Sequence, residues 1–594
     1  MSQSKTALLF FLTLVSVLSF EYFDEWQTEI FTRSTYYFML GLMIIWMYSI
    51  AKITPSFRVC ALFIKRHRMG LITLFAVTTV LYCSVPFDLR VLADESNLIS
   101  TSRSLLDSKT FENSVSGKIY YDNYHSTHTA TPIRPPFFAF VVQIVHTFIG
   151  YAPENAGWVN IFSWFGVIFL GYYWAYNLRG QNTGIAIIFS LTSIPILSLC
   201  ARSGGFDTFS VFLLFLVLHS LRVVDKKPSA ENIWILWCHL LFFIHTRYEN
   251  ACILLFVVPY LLFRHTQKME KNIFFWVSLT AFFLIPKWFQ LRLSSGQYEN
   301  EEEALLSVSN IFEHTHAFLS TILRFDFLIP YNNIINTCGI VGLIILFWEI
   351  YNKRENRRIL LEIGIMMMFS VIFFAHFLGD PINQTSLRFF LILNVGLACL
   401  AVYGLMHILK PRQHVIFAFA AYVLYHPVAV RNEYMNALLY PREARFVYQF
   451  LTPYKQSNTM LLVDMPGAFV IHDVGALSIE YANLNPEILQ EEFDQRLYTN
   501  LFVVQRIENE TQEPIENDTL DSRYILQSIS TQQTSDSHYV RIAKVIDILE
   551  QQNDIQETNI NRVEETNTKP LEEDNTSVPP TETNSETNSE TTKE

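Results

Sequence analysis

The stretch Val211-Phe212-Leu213-Leu214-Phe215-Leu216-Val217-Leu218 decides what kind of chain this is. It holds no charged or polar side chain, and runs like it recur from the N-terminus to about residue 430. Charges collect in the gaps between runs, roughly every 15 to 25 residues, which is the length a helix needs to cross the hydrocarbon core of a bilayer. The composition agrees, with 51% hydrophobic and 16% charged residues, whereas a soluble chain of this length carries roughly 25% charged. The expected class is an all-α polytopic membrane protein of about 11–14 transmembrane helices.

Candidate spans lie near residues 6–20, 35–52, 69–86, 135–151, 157–177, 184–200, 206–222, 232–246, 247–263, 273–289, 333–351, 359–378, 389–409 and 415–430. Residues 6–20 follow Lys5 but precede no small-residue cleavage site, so they read as an uncleaved span rather than a signal peptide. Basic clusters mark the inner face: Lys65-Arg66-His67-Arg68, residues 264–271, Lys353-Arg354 with Arg357-Arg358, and Lys410 with Arg412. Loops 87–134, 290–332 and 379–388 and everything after residue 431 then fall outside. One conflict stands. Between residues 134 and 264 the candidate segments number six, where an odd number of crossings is needed, so one must not span fully.

The chain divides into an N-terminal transmembrane hairpin (1–68), a membrane domain (69–431) with a large first outer loop (87–134), an extracytoplasmic α/β domain (432–545) and a tail (546–594). Met460-Leu-Leu-Val-Asp464 and Ala468-Phe-Val-Ile-His472 supply the strand-like and helical pieces of the third part. The acidic tail is Thr-, Asn-, Glu- and Ser-rich and has too few apolar residues to offset the entropy of folding. Much of the formal charge of −12 lies after residue 480. The seven cysteines form no C-x-x-C and read as packing residues rather than a zinc or disulfide framework. Asn383, Asn509, Asn517 and Asn575 begin N-x-Ser/Thr triplets, which signify glycosylation only in a eukaryotic source.

The chemistry concentrates in the first outer loop. Asp94 and Glu95 follow span 69–86 directly. Leu98, Ile99, Leu105 and Leu106 then trace an amphipathic helix along the membrane surface. Arg103 lies on that helix, and Arg134-Pro135-Pro136-Phe137 leads into the next apolar run. Acid pairs at the end of a span are common, and Asp24-Glu25 is another without a long loop behind it. His125, His128, His314 and His316 read as solvated loop histidines rather than a metal site, and the sequence leaves divalent-metal dependence open.

Ala93-Asp94-Glu95-Ser-Asn-Leu98-Ile-Ser-Thr-Ser-Arg103-Ser-Leu105-Leu106 resembles the first outer loop of GT-C membrane glycosyltransferases of the protein O-mannosyltransferase and lipid A aminoarabinose transferase type. Arg134-Pro135-Pro136-Phe137 is similar to the His-Pro-Pro-Leu of that family, with Arg in place of His and Phe in place of Leu. Ala201-Arg202-Ser-Gly-Gly-Phe-Asp207, Thr246-Arg247-Tyr-Glu249 and Arg388-Phe389-Phe390 resemble its later charged positions, although the proline expected after Arg388 is missing. The resemblance spans residues 69–410 and implies a GT-C-like fold. It also implies sugar transfer from a polyprenyl-phosphate donor to a lipid, glycan or protein acceptor on the extracytoplasmic face. On this reading Asp94 is the base and Glu95 supports it, while Arg103, Arg134, Arg202, Arg247 and Arg388 bind donor phosphate or sugar.

Plainer readings remain for the arginines. Arg134 can anchor a span to headgroups, Arg202 can pair with Asp207, and Arg247 with Glu249 interrupts an apolar stretch at a cost that favours an inward-facing role. A transporter or flippase also places charges within the membrane, although no internal repeat of the kind many transporters carry is visible. A non-catalytic scaffold of the same fold is the third reading. A bacterial inner membrane is favoured over the endoplasmic reticulum, with the C-terminus extracytoplasmic.

Overall fold

The computed structural model describes residues 25–120, 123–269, 273–288, 290, 307–322, 331–353, single residues between 362 and 375, 383, 385–425, 427–454 and 458–549. The expected first span, most of the span at 359–378 and the tail from 550 onward lie outside these.

The chain is mostly helical. Among the described residues, Thr28–Ile53, Asp207–Lys226, Asn333–Asn352 and Ser386–Ile408 are long and apolar enough to cross a membrane, and Pro136–Ile149, Ala230–Ile244 and Glu249–Leu261 are shorter apolar helices. Large apolar side chains point outward on several helices, with Phe75 61%, Phe162 70%, Ile344 64% and Trp348 69% exposed. In water, each such side chain left unburied forgoes about 1.5–3 kcal/mol. Against lipid tails that penalty vanishes, so length and exposure together identify an integral membrane protein.

Two sequence expectations shift in detail. The basic cluster at 65–68 and the apolar run that follows it share one helix, Phe57–Ser84, because nothing between Phe57 and Gly70 breaks the helical run. The segment at 184–200 is broken into Gln181–Thr192 and Pro195–Cys200. Pro195 has no N–H to give and so starts a new helix rather than continuing the old one.

Helices Asn333–Lys353 and Leu391–Ile408 cross at glycines. A Cβ on Gly342 would lie 1.9 Å from the Leu400 carbonyl oxygen, and one on Gly404 would lie 2.8 Å from the Gly342 Cα. Small residues at such crossings let membrane helices pack backbone to backbone. Gly342→Val is therefore expected to cost about 3 kcal/mol, read as a lowered thermal unfolding midpoint in detergent. An unchanged midpoint would show that the helices do not meet there.

One mixed sheet, in the order β2-β1-β4-β3-β5-β7-β6, joins two distant parts of the chain. Strands β1 (Asn113–Tyr120) and β2 (Asn123–Ala130) form a hairpin within the first loop. The others are β3 (Thr459–Leu462), β4 (Gly475–Leu477), β5 (Asn500–Glu508), β6 (Tyr524–Gln533) and β7 (His538–Ile548). Pairing of Gly117 with Ala476 connects the hairpin to them. The loop 87–134 and the region 432–545 thus share a sheet, and strand β7 passes the expected boundary at 545 to reach Ile548. Ala468–His472, read from sequence as strand-like or helical, contributes to the short helix Gly467–Val470, which begins after Pro466.

Alternation along β3 shows how the sheet seats. Leu461 packs into the large core shared with the helices, while Met460 and Leu462 pack into a second core with Leu477, Leu489, Leu501 and Val545. Successive strand residues face opposite ways, so one face of the sheet is continuous with the helical core. The first-loop helix Leu92–Asp107 lies in that shared core through Leu98, Ile99 and Leu105.

Candidate active site

Asp94 and Glu95 occupy the first turn of helix Leu92–Asp107, where carboxylates are favoured by the helix dipole. A helix turns about 100° per residue, so these neighbours point to different partners.

Glu95 is fully buried. Its Oε2 accepts hydrogen bonds from the backbone N–H of Arg90 at 3.1 Å and of Gly204 at 2.9 Å, and Oε1 lies 3.5 Å from the Arg90 guanidinium. A side chain on Gly205 would crowd this contact, since its Cβ would be 3.1 Å from Glu95 Oε1. Asn160 fixes the same turn by donating to the carbonyls of Ser203 at 2.9 Å and Gly205 at 2.6 Å. Burial pushes the Glu95 carboxyl above its ordinary range, outweighing Arg90 and the two amides. Glu95 is a fastening point between the first loop and the 203–205 turn.

Asp94 is held differently. Arg134 donates to Oδ1, and Arg388 donates to Oδ2 at 2.6 Å. Burial alone would raise this carboxyl, but Arg388 and Arg134 outweigh it and hold Asp94 below the usual carboxylate range. Of the adjacent pair, Asp94 is thus the firmly ionised member.

Asp207, at the start of helix Asp207–Lys226, is the second hub. Arg90 donates to it at 3.0 Å and Arg247 at 2.7 Å, and Arg388 lies 3.9 Å away. Arg247 also donates to Glu249. Each arginine is placed by backbone held nearby. Ile133, just before Arg134, has its carbonyl oxygen bonded by Tyr248 and Gln290. Leu387, just before Arg388, has its carbonyl bonded by Tyr331 at 2.6 Å. Lys287 donates to the Arg247 carbonyl at 3.2 Å.

Of the residues singled out from sequence, the structure brings Asp94, Glu95, Arg134, Arg247 and Arg388 into one network and leaves Arg103 and Arg202 elsewhere. Arg103 pairs with Asp473 at 2.8 Å and stacks on Tyr124 and Tyr151, which ties the first-loop helix to the sheet region. Arg202 donates to the Val85 carbonyl at 2.7 Å and lies over the Tyr82 ring. Its expected pairing with Asp207 is replaced by the pairs Asp207 makes with Arg90 and Arg247, because the Ser203–Phe206 turn separates the two side chains.

Sequence reading passed over Arg90, Lys287 and Gln290. Arg90 carried one signal, a cation just before an acid pair and still within an apolar stretch. His314, taken for a solvated loop residue, is buried on helix Val308–Ile322 and hydrogen-bonded to the Phe374 carbonyl oxygen at 2.9 Å. Among the described residues no cluster of His, Cys, Asp and Glu has the makings of a metal site.

No protein-family model matches the sequence, and no curated protein does. Among solved structures the chain is similar to ArnT from Cupriavidus metallidurans in the apo state, at 14% identity and a TM-score of 0.49, covering 80% of this chain and 97% of that one. It is also similar to the same protein bound to undecaprenyl phosphate, at 13% identity and a TM-score of 0.48, covering 80% and 98%. The archaeal oligosaccharyltransferase AglB from Archaeoglobus fulgidus, in complex with an inhibitory peptide and a dolichol-phosphate, matches at 9% identity and a TM-score of 0.43, covering 74% and 69%.

Proposed function

We propose that this chain is an integral membrane glycosyltransferase that moves a hexosyl or pentosyl group from a polyprenyl-phosphate donor to an acceptor on the extracytoplasmic face. The observation that carries the reading is the convergence of Arg90, Arg134, Arg247 and Arg388 on Asp94 and Asp207 where apolar helices begin. A lipid phosphate can keep its tail in the bilayer while its head reaches such a cluster.

In the reaction, the acceptor hydroxyl oxygen bonds to the anomeric carbon as the bond from that carbon to the phosphate oxygen breaks. The hydroxyl proton passes to the Asp94 carboxylate, and the electron pair of the broken bond leaves with the polyprenyl phosphate. Arg388 and Arg134 face the charge that grows there. A positioned base contributes about 10²–10⁴-fold. The acceptor class, whether protein hydroxyl, lipid A, cell-wall polymer or glycolipid, is for the assay to find, and a bacterial inner membrane is the setting that fits best.

The test incubates purified protein with a panel of radiolabelled polyprenyl-phosphate sugars and candidate acceptors, comparing wild type with Asp94→Asn. Donor-dependent transfer is expected from wild type, with a loss of about 10²-fold or more in the variant. Equal transfer by both removes Asp94 as the base. A wild type that binds no donor overturns the reading.

A further inference from the structure

We infer that Asp94 is the resting counter-ion of the donor-phosphate site, and that the phosphate frees it by taking its place between Arg134 and Arg388. The inference rests on the glycosyltransferase reading above and concerns how its base is switched on.

The starting point is a conflict within the site. A general base needs an available lone pair and a proton affinity near the working pH. Asp94 has one oxygen against Arg134 and the other against Arg388, with a side chain 13% exposed. Two cations hold its proton affinity down, so in this arrangement it is a weak base. The same two arginines are the ones best placed to meet a phosphate. Both tasks cannot be performed at once by the contacts as they stand.

The four acids of the network differ in how they are tied. Glu95 is fixed by the backbone of Arg90 and Gly204, and Asp207 by Arg90 and Arg247. Glu249 is held by Arg247, two residues away along the chain. Asp94 accepts its hydrogen bonds from Arg134 and Arg388, so an exchange at Asp94 leaves the Arg90 and Arg247 bonds to the other acids in place.

A buried donor on the clamp also awaits an acceptor. Arg388 Nε has no hydrogen-bond partner among the described residues. A carboxylate offers two oxygens, whereas a phosphate group offers more acceptor sites and a larger reach. A buried donor left unmet is destabilising, and that favours the exchange.

Charge makes the exchange self-reinforcing. A sugar-linked lipid phosphate carries one negative charge, as Asp94 does, so the swap leaves the balance of the cluster unchanged. When the bond to the sugar breaks, the phosphate gains a second charge. The arginines then hold it more strongly than they held either the donor or Asp94, which is stabilisation specific to the transition state. Asp94, released from both cations and beside an anion, becomes the stronger base it was not at rest.

The deciding experiment measures binding of polyprenyl phosphate in detergent micelles to the full chain and to Asp94→Asn. Removing the internal competitor is expected to tighten binding by about tenfold, although the same change abolishes transfer. Equal or weaker binding by the variant, with wild type binding normally, overturns the exchange but leaves the glycosyltransferase reading in place. No binding by wild type overturns that reading itself. Should the variant fail to fold, carbodiimide coupling to Asp94 in wild type, read by peptide mass, decides the matter. Polyprenyl phosphate is expected to increase coupling because the displaced carboxyl is protonated more readily, and unchanged or reduced coupling overturns the exchange.

Discussion

Asp207→Asn is expected to lower the stability of the chain in detergent by about 3–5 kcal/mol, the range found when one partner of a buried ion pair is removed. Asp207 is 2% exposed and accepts from both Arg90 and Arg247, with Arg388 within 3.9 Å. Around it, the carboxylates Asp94, Glu95, Asp207 and Glu249 face the guanidinium groups of Arg90, Arg134, Arg247 and Arg388. Neutralising the one acid that touches three of these arginines leaves an excess positive charge in a place that water scarcely reaches. The amide keeps the shape and can accept one hydrogen bond, so loss of charge rather than loss of packing is what the variant reports. A cost of this size is a large part of the 5–15 kcal/mol typical of a folded domain, so a fall in recovered monodisperse protein should accompany a lower thermal midpoint. A change below about 1 kcal/mol would mean that Asp207 is solvated and that the cluster is not the buried hub described.

The same cluster shows what could and could not be seen in the sequence. Membrane character was legible because hydropathy is a property of each run by itself, as at Val211–Leu218. The first-loop helix was legible for a similar reason, since the spacing of Leu98, Ile99, Leu105 and Leu106 is local and falls within Leu92–Asp107. Some charged members of the network were legible from their setting, Asp94, Glu95 and Arg134 at the ends of the first outer loop and Arg247 where it interrupts an apolar stretch. Arg103 looked equally eligible because it lies on the same helix as Asp94. Its side chain leaves toward Tyr124, Tyr151 and Asp473, and no local pattern encodes that direction. The hairpin of β1 and β2 was read as polar loop because Asn113-Ser-Val-Ser-Gly-Lys-Ile-Tyr120 lacks an apolar alternation. Much of what makes it a strand is pairing, including one contact with Ala476 far along the chain. Arg90 escaped for the converse reason: its partners Glu95 and Asp207 are brought together by the turn at Gly204 and Gly205, which reads as an ordinary glycine pair until the close approach of the Glu95 carboxylate is seen.

Arg388→Gln tests the other end of the Asp94 clamp, and two separate effects are expected. The first is on turnover. Removing one donor aimed at developing negative charge costs about 10²–10³-fold in other enzymes, and a loss of that size is expected in the transfer assay, together with weaker retention of polyprenyl phosphate. The second effect is on acid stability, and its sign follows from the wild-type carboxyl. Asp94 sits below its ordinary value in the folded protein because Arg388 and Arg134 outweigh the burial that would raise it. A carboxyl depressed on folding contributes stability that is present above its unfolded value and lost as the pH falls through its folded one. In wild type this loss therefore lies below the ordinary aspartate range. Without Arg388, burial is opposed by Arg134 alone, the folded value moves upward toward or past the unfolded one, and the stability that this carboxyl loses on acidification shrinks, because less of it is present at neutral pH. Thermal midpoints collected between about pH 3 and pH 7 should show the variant already lower near neutral pH and falling less steeply than wild type on acidification. If the two acid profiles coincide, Arg388 does not clamp Asp94 in the membrane-embedded protein. A variant that loses turnover while keeping the wild-type acid profile would place Arg388 on the substrate and not on the carboxylate at rest. The resting clamp requires both changes in one variant, because a single guanidinium serves the carboxylate before the donor arrives and the phosphate afterwards.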